Sequence, residues 1–158
     1  MREILLVGSY WLHSIATVVW IGGITIILFI VMPSAKQVLG VEAGKMMGEI
    51  SKRFNPIANY SIILLIVTGA VLTAFNKQYS GISNFDNNWL LGLIVKHVFV
   101  IGMVIVHFYR GLILTPKIAK TEADEKTSLQ KLSLNLVKTN FCLGLIVLLM
   151  SGIISILH

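Results

Sequence analysis

Cysteine, proline and charged side chains are scarce in this sequence. Its 158 residues include one cysteine and three prolines, and 13% of the residues are charged. The lone cysteine, Cys142, excludes an intramolecular disulfide framework, and its apolar surroundings predict a small packing residue. The low charge, together with a hydrophobic content of 56%, lies outside the range of an ordinary soluble domain and indicates a protein that crosses the membrane several times.

Acidic residues are scarcer than basic ones. The chain has 7 Asp and Glu against 13 Lys and Arg, which gives a formal net charge of +6. Such an excess can indicate nucleic acid binding, but in a chain this hydrophobic it is better explained by basic loops beside membrane spans, so no nucleic acid partner is expected. The apolar segment that follows Glu3 is too long for a signal-peptide core and is expected to be a retained span.

Long apolar segments predict the fold. Four of them are long enough to cross about 30 Å of hydrocarbon, and they cover approximately residues 4–32, 57–75, 89–115 and 136–157. Since the connections leave no room for a separate soluble domain, residues 1–158 are expected to form one all-α membrane domain. The predicted architecture is an up-down-up-down bundle of four transmembrane helices in the lipid bilayer of a cell membrane.

The three connections differ in character. Residues 34–56 carry apolar positions at helical spacing and predict an amphipathic helix that lies on the membrane surface or extends a span. Residues 76–88 are polar and rich in turn formers, which indicates a short irregular loop. Pro116 is expected to end the third span, and the charged helix that follows it is expected to continue into the fourth span.

Basic residues predict the orientation of the bundle. Ten Lys and Arg lie in or beside the first and third connections, and two, Arg2 and Lys77, lie on the opposite side. Because short cytoplasmic loops carry an excess of Lys and Arg, the first and third connections are expected to be cytoplasmic, and both termini extracytoplasmic.

The third apolar segment contains four ionisable residues: Lys96, His97, His107 and Arg110. Ionisable groups within a membrane usually face the bundle interior and mark a function. Lys96 and His107 are eleven positions apart. This spacing puts them within roughly 20° of one helix face but about 16 Å apart along the axis. His97 points roughly 100° away from that face.

The first apolar segment contains His13, which is expected to share a face with Trp20, seven positions later. Small residues leave a groove on this face: Ala16, Thr17, Gly22 and Gly23. Depths counted from the outer ends of the spans put His13, Lys96 and His97 at a similar level, about 11–13 Å into the membrane, with His107 deeper.

Two interpretations of these side chains remain open. In the first, imidazoles bind copper or the iron of a haem b, with His13 and His107 as metal ligands and Lys96 and Trp20 as further cofactor contacts. Because the two histidines differ in level by about 14–16 Å, one metal ion could not bind both. In the second, each histidine makes a helix–helix hydrogen bond. No catalytic residue is assigned, and enzymatic activity is left open.

Several stretches resemble the copper-resistance D (CopD-type) family of membrane proteins. His13 followed by VVWIGG, and the Met32-Pro33 pair that closes the span, are similar to the family's first helix. The stretch RFNPIANYSIILLIVTGAVL resembles its second helix, and Lys96, Arg110 and LTPK (residues 114–117) resemble its third. The resemblance covers all four spans at the level of pattern.

HemJ-type protoporphyrinogen oxidases, four-helix proteins associated with haem b, are also similar. The spacing from His13 to Trp20, and from Lys96 to the HFY of residues 107–109, resembles theirs. That family carries an Arg and a further His near the end of the first span, where this chain reads ILFIVMPS. The departure disfavours oxidase activity, and Pro33 and LTPK favour the CopD-type branch.

Three functional hypotheses follow from these resemblances and from the residues themselves. The resemblance implies a small membrane protein that binds or passes copper or a haem b, with His13, Lys96 and His107 as the carried-over positions. Because no soluble copper-binding domain accompanies it, a membrane or extracytoplasmic partner would supply the copper. The alternatives are a haem-dependent membrane oxidoreductase and a structural accessory subunit of a larger membrane complex. The choice between copper and haem, and a homo-oligomeric state, are left open.

Overall fold

The computed structural model describes residues 1–77, 79 and 88–156, and these are helical almost throughout, with no strand among them. The α-helical segments, in chain order, are α1 (Arg2–Thr17), α2 (Gly23–Ile26), α3 (Met32–Leu39), α4 (Ala43–Ala74), α5 (Asn88–Phe108), α6 (Thr115–Lys120) and α7 (Ala123–Ile156). Wider π-helical turns join some of them, at Val18–Gly22, Ile27–Val31 and Tyr109–Leu114. The predicted all-α class is confirmed.

Among the described residues, three continuous helical runs are long and apolar enough to cross a membrane. They cover Arg2–Ala74, Asn88–Lys120 and Glu125–Ile156. The predicted count of four spans is not confirmed, because the first two predicted spans belong to one helical run of 73 residues.

The longest run reverses direction at Gly40. This glycine has a positive φ of 52°, a conformation that costs glycine little because it has no Cβ. A short 3₁₀ turn, Gly40–Glu42, then leads into α4. As a result α4 packs along α1, and Arg2 Nη2 donates a hydrogen bond of 3.2 Å to the Phe75 carbonyl at the far end of the run.

Two of the three prolines lie just after π-helical turns. Pro33 follows Ile27–Val31 and Pro116 follows Tyr109–Leu114. Proline has no N–H to donate to the carbonyl four residues earlier, so it disrupts a regular α-helix. A π-helical turn pairs residues five positions apart instead, which allows the helix to continue past the proline. Pro116 was expected to end the third span; the helix itself continues past it to Lys120.

The connections follow the sequence expectations in part. The second half of the first connection is the beginning of α4, so it extends a span, with Pro56 inside the helix. The charged helix of the third connection is continuous with the fourth apolar segment in α7, as predicted. The expected irregular loop at 76–88 lies mostly outside the described residues.

One core cluster lies where the π-helical turn Val18–Gly22 and helices α2, α4, α5 and α7 meet. It consists of Trp20, Ile24, Ala58, Ile62 and Met103, with Phe54 and several aliphatic side chains of α7 against it. Ala58 is fully buried, which allows α4 to approach its neighbours closely because a small side chain shortens the interhelical distance. Large apolar side chains are exposed along the outer faces of the helices, as expected for surfaces that contact lipid.

Not all the small residues predicted to form a groove approach another helix. Ala16 is buried, but a Cβ added to Gly22 would meet nothing nearer than Val18 Cγ1 at 4.0 Å on its own helix. At Gly23 an added Cβ would overlap the ring of Phe54. The close helix–helix approach is therefore at Gly23.

Candidate functional site

Two imidazoles lie inside the helix assembly, and each is hydrogen-bonded to α4. The first is His13 on α1, whose Nδ1 lies 2.8 Å from Thr68 Oγ1. Gly69 lies against the ring, since a Cβ at that position would be in ordinary contact with His13 Cε1 at 3.5 Å. We refer to His13 and Thr68 as the outer site.

The hydrogen bonds of Thr68 determine which nitrogen of His13 carries the proton. Thr68 Oγ1 lies 2.6 Å from the Leu64 carbonyl oxygen, to which it donates. A hydroxyl has one hydrogen, so toward the histidine Thr68 Oγ1 acts as an acceptor and His13 Nδ1–H as the donor. The neutral ring then has its lone pair on Nε2. A hydrogen bond that fixes the tautomer in this way is typical of metal-ligating histidines.

Lys96 and His97 lie near the outer site. Both are close enough to His13 for electrostatic interaction with its ring. His97 is exposed on α5, and its Nδ1–H donates to the Leu93 carbonyl at 2.7 Å, which also leaves its lone pair on Nε2. The structure thus places Lys96 and His97 beside His13.

The second imidazole is His107 on α5, which is 4% exposed. Its Nε2 lies 2.8 Å from Asn59 Oδ1. A carbonyl oxygen accepts only, so Nε2 carries the proton and the lone pair of the neutral ring is on Nδ1. Trp20 packs edge-on against this ring, with centroids 6.1 Å apart and an interplanar angle of 83°. We refer to His107 and Asn59 as the inner site.

Arg110 lies one turn beyond the inner site and bonds to the same face of α4. Its Nη2 donates to Asn55 Oδ1 at 3.1 Å and its Nη1 to Ser51 Oγ at 3.4 Å. Thr115 Oγ1 donates to the Arg110 carbonyl within the π-helical turn. Positions 51, 55 and 59 are four residues apart and form one polar stripe on α4, which the third apolar segment contacts through His107 and Arg110.

The two sites are too far apart to share one ligand atom. Their contacts on α4, Asn59 and Thr68, are nine residues apart, which is about 13 Å of helix. One copper ion does not bridge such a distance. The two axial ligands of a haem lie on either side of one iron atom, so His13 and His107 do not fit as a pair around a single haem b.

Trp20 belongs to the inner site instead of the outer one. It is 2% exposed, and its Nε1 is buried without a hydrogen-bond partner among the described residues. The expectation that it shares a face with His13 assumes a regular α-helix, whereas Val18–Gly22 is a π-helical turn. A π-helical turn has more residues than an α-helical turn, so the seven-residue spacing no longer aligns the two side chains.

A closed metal cage is absent from the described part of the chain, where no group of three or more His, Cys, Asp and Glu side chains comes together. Imidazole nitrogen suits copper, and thioether sulfur suits Cu(I). Besides the histidines, the buried Met103 lies one turn before His107 on α5. These donors do not form a complete ligand set for a rigid structural metal site.

The family model of copper resistance protein D matches residues 48–154, which is more than half of the 158 residues. The chain belongs to the copper resistance protein D family. No curated protein and no solved structure matches the chain significantly. With its long apolar helices, this member of the family is a multi-pass membrane protein in a lipid bilayer. The relationship to HemJ-type oxidases is not shown.

Only some of the candidate residues lie within the region that the family model matches. Thr68, Lys96 and His107 lie within it, whereas His13 and Trp20 precede it. Sequence reasoning missed the α4 partners Asn59 and Thr68. A periodic pattern could have indicated the inner partners, because polar residues recur every four positions where the helix becomes apolar, at Ser51, Asn55 and Asn59. A single threonine among aliphatic residues gave no comparable signal for the outer one.

Proposed function

We propose that this protein binds copper at His13 and passes it within a four-span helix bundle. The observation that carries the proposal is the hydrogen-bond chain from His13 through Thr68 to the Leu64 carbonyl. It fixes the imidazole with Nε2 as the free donor atom, the state that a copper ligand requires. Membership of the copper resistance protein D family supports copper as the ion.

His97 is the second donor of the outer site in this proposal. His97 interacts electrostatically with His13 and offers a second Nε2 lone pair, which would strengthen the binding of copper by His13. Lys96 is a nearby cation, and it repels a copper ion bound at this site. This repulsion favours brief binding of copper over tight storage. His107 is a deeper ligand for the same ion after it has moved inward, through Nδ1, because Nε2 donates to Asn59.

The four-span arrangement is part of the proposal. Gly40 divides the first helical run into two antiparallel halves, since α4 packs along α1. Each half would be one span, and α5 and α7 would supply the other two. Copper would arrive from a membrane or extracytoplasmic binding partner, because both termini and the outer site lie on the extracytoplasmic side in this orientation.

The experiment for copper binding is an anaerobic titration of the detergent-purified protein with Cu(I) against a chromophoric chelator. The expected result is one bound copper ion in the wild type and none in His13→Ala. Metal analysis and an absorbance spectrum of the same sample test the alternatives. A Soret band with sharp reduced bands would indicate haem, and a protein with neither copper nor haem would support a structural subunit.

Orientation is tested with single cysteines in a Cys142→Ser background. A membrane-impermeant thiol reagent applied to the outside should label Glu3→Cys and leave Lys45→Cys and Glu125→Cys unlabelled. Labelling of Glu3→Cys and Lys45→Cys from the same side would contradict a span between them, and with it the count of four.

A further inference from the structure

A cavity of about 450 Å³ lies between α4 and the helical run that begins with α5. It is separate from the outer site, and the proposal below does not depend on copper binding. Its lining includes Lys52, Asn55 and Asn59 on one side and Gly111 and Leu112 on the other. The cavity therefore extends from the basic end of α4 into its apolar part.

The apolar residues around this cavity are exposed to the outside of the helix assembly. Tyr60 is 74% exposed, Ile63 58% and Leu112 71%. In a membrane protein such surfaces contact acyl chains, so a ligand enters this cavity sideways from the bilayer.

The polar part of the cavity offers hydrogen-bond donors. Asn55 Oδ1 already accepts from Arg110, and Asn59 Oδ1 accepts from His107. Each amide therefore has its NH₂ group left, which only donates. No carboxylate lines the cavity among the described residues. A matching ligand is rich in acceptor oxygens.

Two cations add positive charge at the same end of the cavity. Arg110 bonds only to neutral oxygens of Asn55 and Ser51 among the described residues. Lys52 pairs with Glu49 at 2.6 Å, but both side chains are largely exposed, and exposed pairs of this kind are weak. The lysine is thus able to exchange Glu49 for another anion.

We propose that this cavity binds the headgroup region of an anionic phospholipid. The phosphate lies beside Lys52, the ester carbonyls accept from the amides of Asn55 and Asn59, and an acyl chain lies along Ile63 and Leu112. Basic pockets between transmembrane helices on the cytoplasmic side are known to bind anionic headgroups. The positive charge favours such a lipid over a neutral quinone, and the apolar rim favours it over a free phosphate ion.

The test measures lipid retention by native mass spectrometry of the full-length protein. Phosphatidylglycerol is compared with phosphatidylcholine that carries the same acyl chains. Lys52→Gln should weaken phosphatidylglycerol binding about fivefold, the effect of about one basic residue near a lipid surface. The matched control is Lys45→Gln, because Lys45 forms a similar exposed pair with Glu42 at 2.7 Å but does not line the cavity. It should leave the affinity unchanged.

A second pair of variants tests the cavity itself. A Cβ at Gly111 would lie 3.5 Å from Asn55 Nδ2, an ordinary contact, so Gly111→Ala should fold and retain the lipid. Gly111→Leu should fill the cavity and release phosphatidylglycerol. Equal retention in Gly111→Leu and the wild type would overturn the proposal, as would equal effects of Lys52→Gln and Lys45→Gln.

Two competing compounds test whether the ligand is an anionic phospholipid, a soluble phosphate compound or a neutral quinone. Glycerol 3-phosphate should fail to displace phosphatidylglycerol at equal concentration, because it has no acyl chain to occupy the apolar part. A short-chain ubiquinone should also fail, because it carries no charge for Lys52. Displacement by either compound at concentrations that match the lipid would overturn the assignment to an anionic phospholipid.

Discussion

The outer and inner sites have the same kind of hydrogen bond to α4, but they leave different nitrogens of the imidazole ring free. In both, a histidine from another helix bonds to a neutral side chain of α4, at 2.8 Å in each case. Thr68 directs the proton to Nδ1 of His13, whereas Asn59 directs it to Nε2 of His107. The partner side chain, and not the histidine, therefore decides which nitrogen can bind a metal.

The two rings also differ in their surroundings. His13 is only partly buried and has its lone pair on Nε2, with the cation Lys96 nearby. His107 Nε2 is occupied by its bond to Asn59, and the ring is enclosed by Trp20 and Phe108. In our proposal the outer site therefore binds and releases the ion, and the inner site contributes helix packing in addition to any role as a second ligand.

The largest expected effect is that of His13→Ala on copper. Removal of the ring removes the oriented Nε2, so bound Cu(I) should fall to background in the chelator titration. The protein should still elute as one symmetric peak in size-exclusion chromatography, because one lost helix–helix hydrogen bond costs only about 0.6–2 kcal/mol. His97→Ala should reduce affinity less, since that side chain is exposed. Full copper retention in His13→Ala would contradict the assignment of His13 as the copper ligand.

The second prediction concerns the partner of the outer histidine. Thr68→Val keeps the shape of the side chain and removes the acceptor of His13 Nδ1–H. Copper affinity should fall about 10–100-fold, the usual effect of losing such an orienting contact. Thr68→Ser is the matched control, because it keeps the hydroxyl and should remain within a few-fold of the wild type. Equal affinities of the valine and serine variants would mean that the tautomer is not set by Thr68.

The third prediction concerns the packing of Gly23 against α4, beyond the inner site. Gly23→Leu should destabilise the fold by about 1–3 kcal/mol, because the side chain must displace the ring of Phe54. Gly22→Leu should cost less, since no other helix lies within 4 Å of its added Cβ. Thermal unfolding in detergent, followed by circular dichroism, measures both. If Gly22→Leu were the more damaging variant, the contact of α2 with α4 would be misplaced by one residue.

Composition was sufficient to predict the helices. An apolar stretch of about 20 residues has few stable conformations in lipid other than a helix, and this local rule found every apolar segment. It could not give the ends of the helices, because the helical run continues past Pro116 to Lys120 after the π-helical turn Tyr109–Leu114. It also could not indicate that the connection between the first two predicted spans is itself helical, with the reversal at Gly40.

The candidate site was predicted less completely. Helical arithmetic predicted one level for His13 and Lys96, and Lys96 is near enough to His13 to influence its ring electrostatically. It assigned Trp20 to the face of His13, but the ring lies against His107. The partners Thr68 and Asn59 come from another helix, and their hydrogen bonds depend on tertiary packing. No pattern within one segment could therefore indicate which nitrogen of each ring is free.

The smallest expected effect is that of Asn59→Leu, which tests the inner half of the comparison. The variant keeps most of the side-chain volume but removes the acceptor of His107 Nε2–H, so the unfolding free energy should fall by about 0.6–2 kcal/mol. Copper binding at the outer site should not change, because about 13 Å of α4 lies between Asn59 and Thr68. Asn59→Gln is a control that can restore the acceptor on a longer side chain. Unfolding in denaturant and the Cu(I) titration are measured on the same preparations. A large loss of copper affinity with little loss of stability would show that the inner histidine also binds the ion at equilibrium, and the two sites would then differ in depth and not in role.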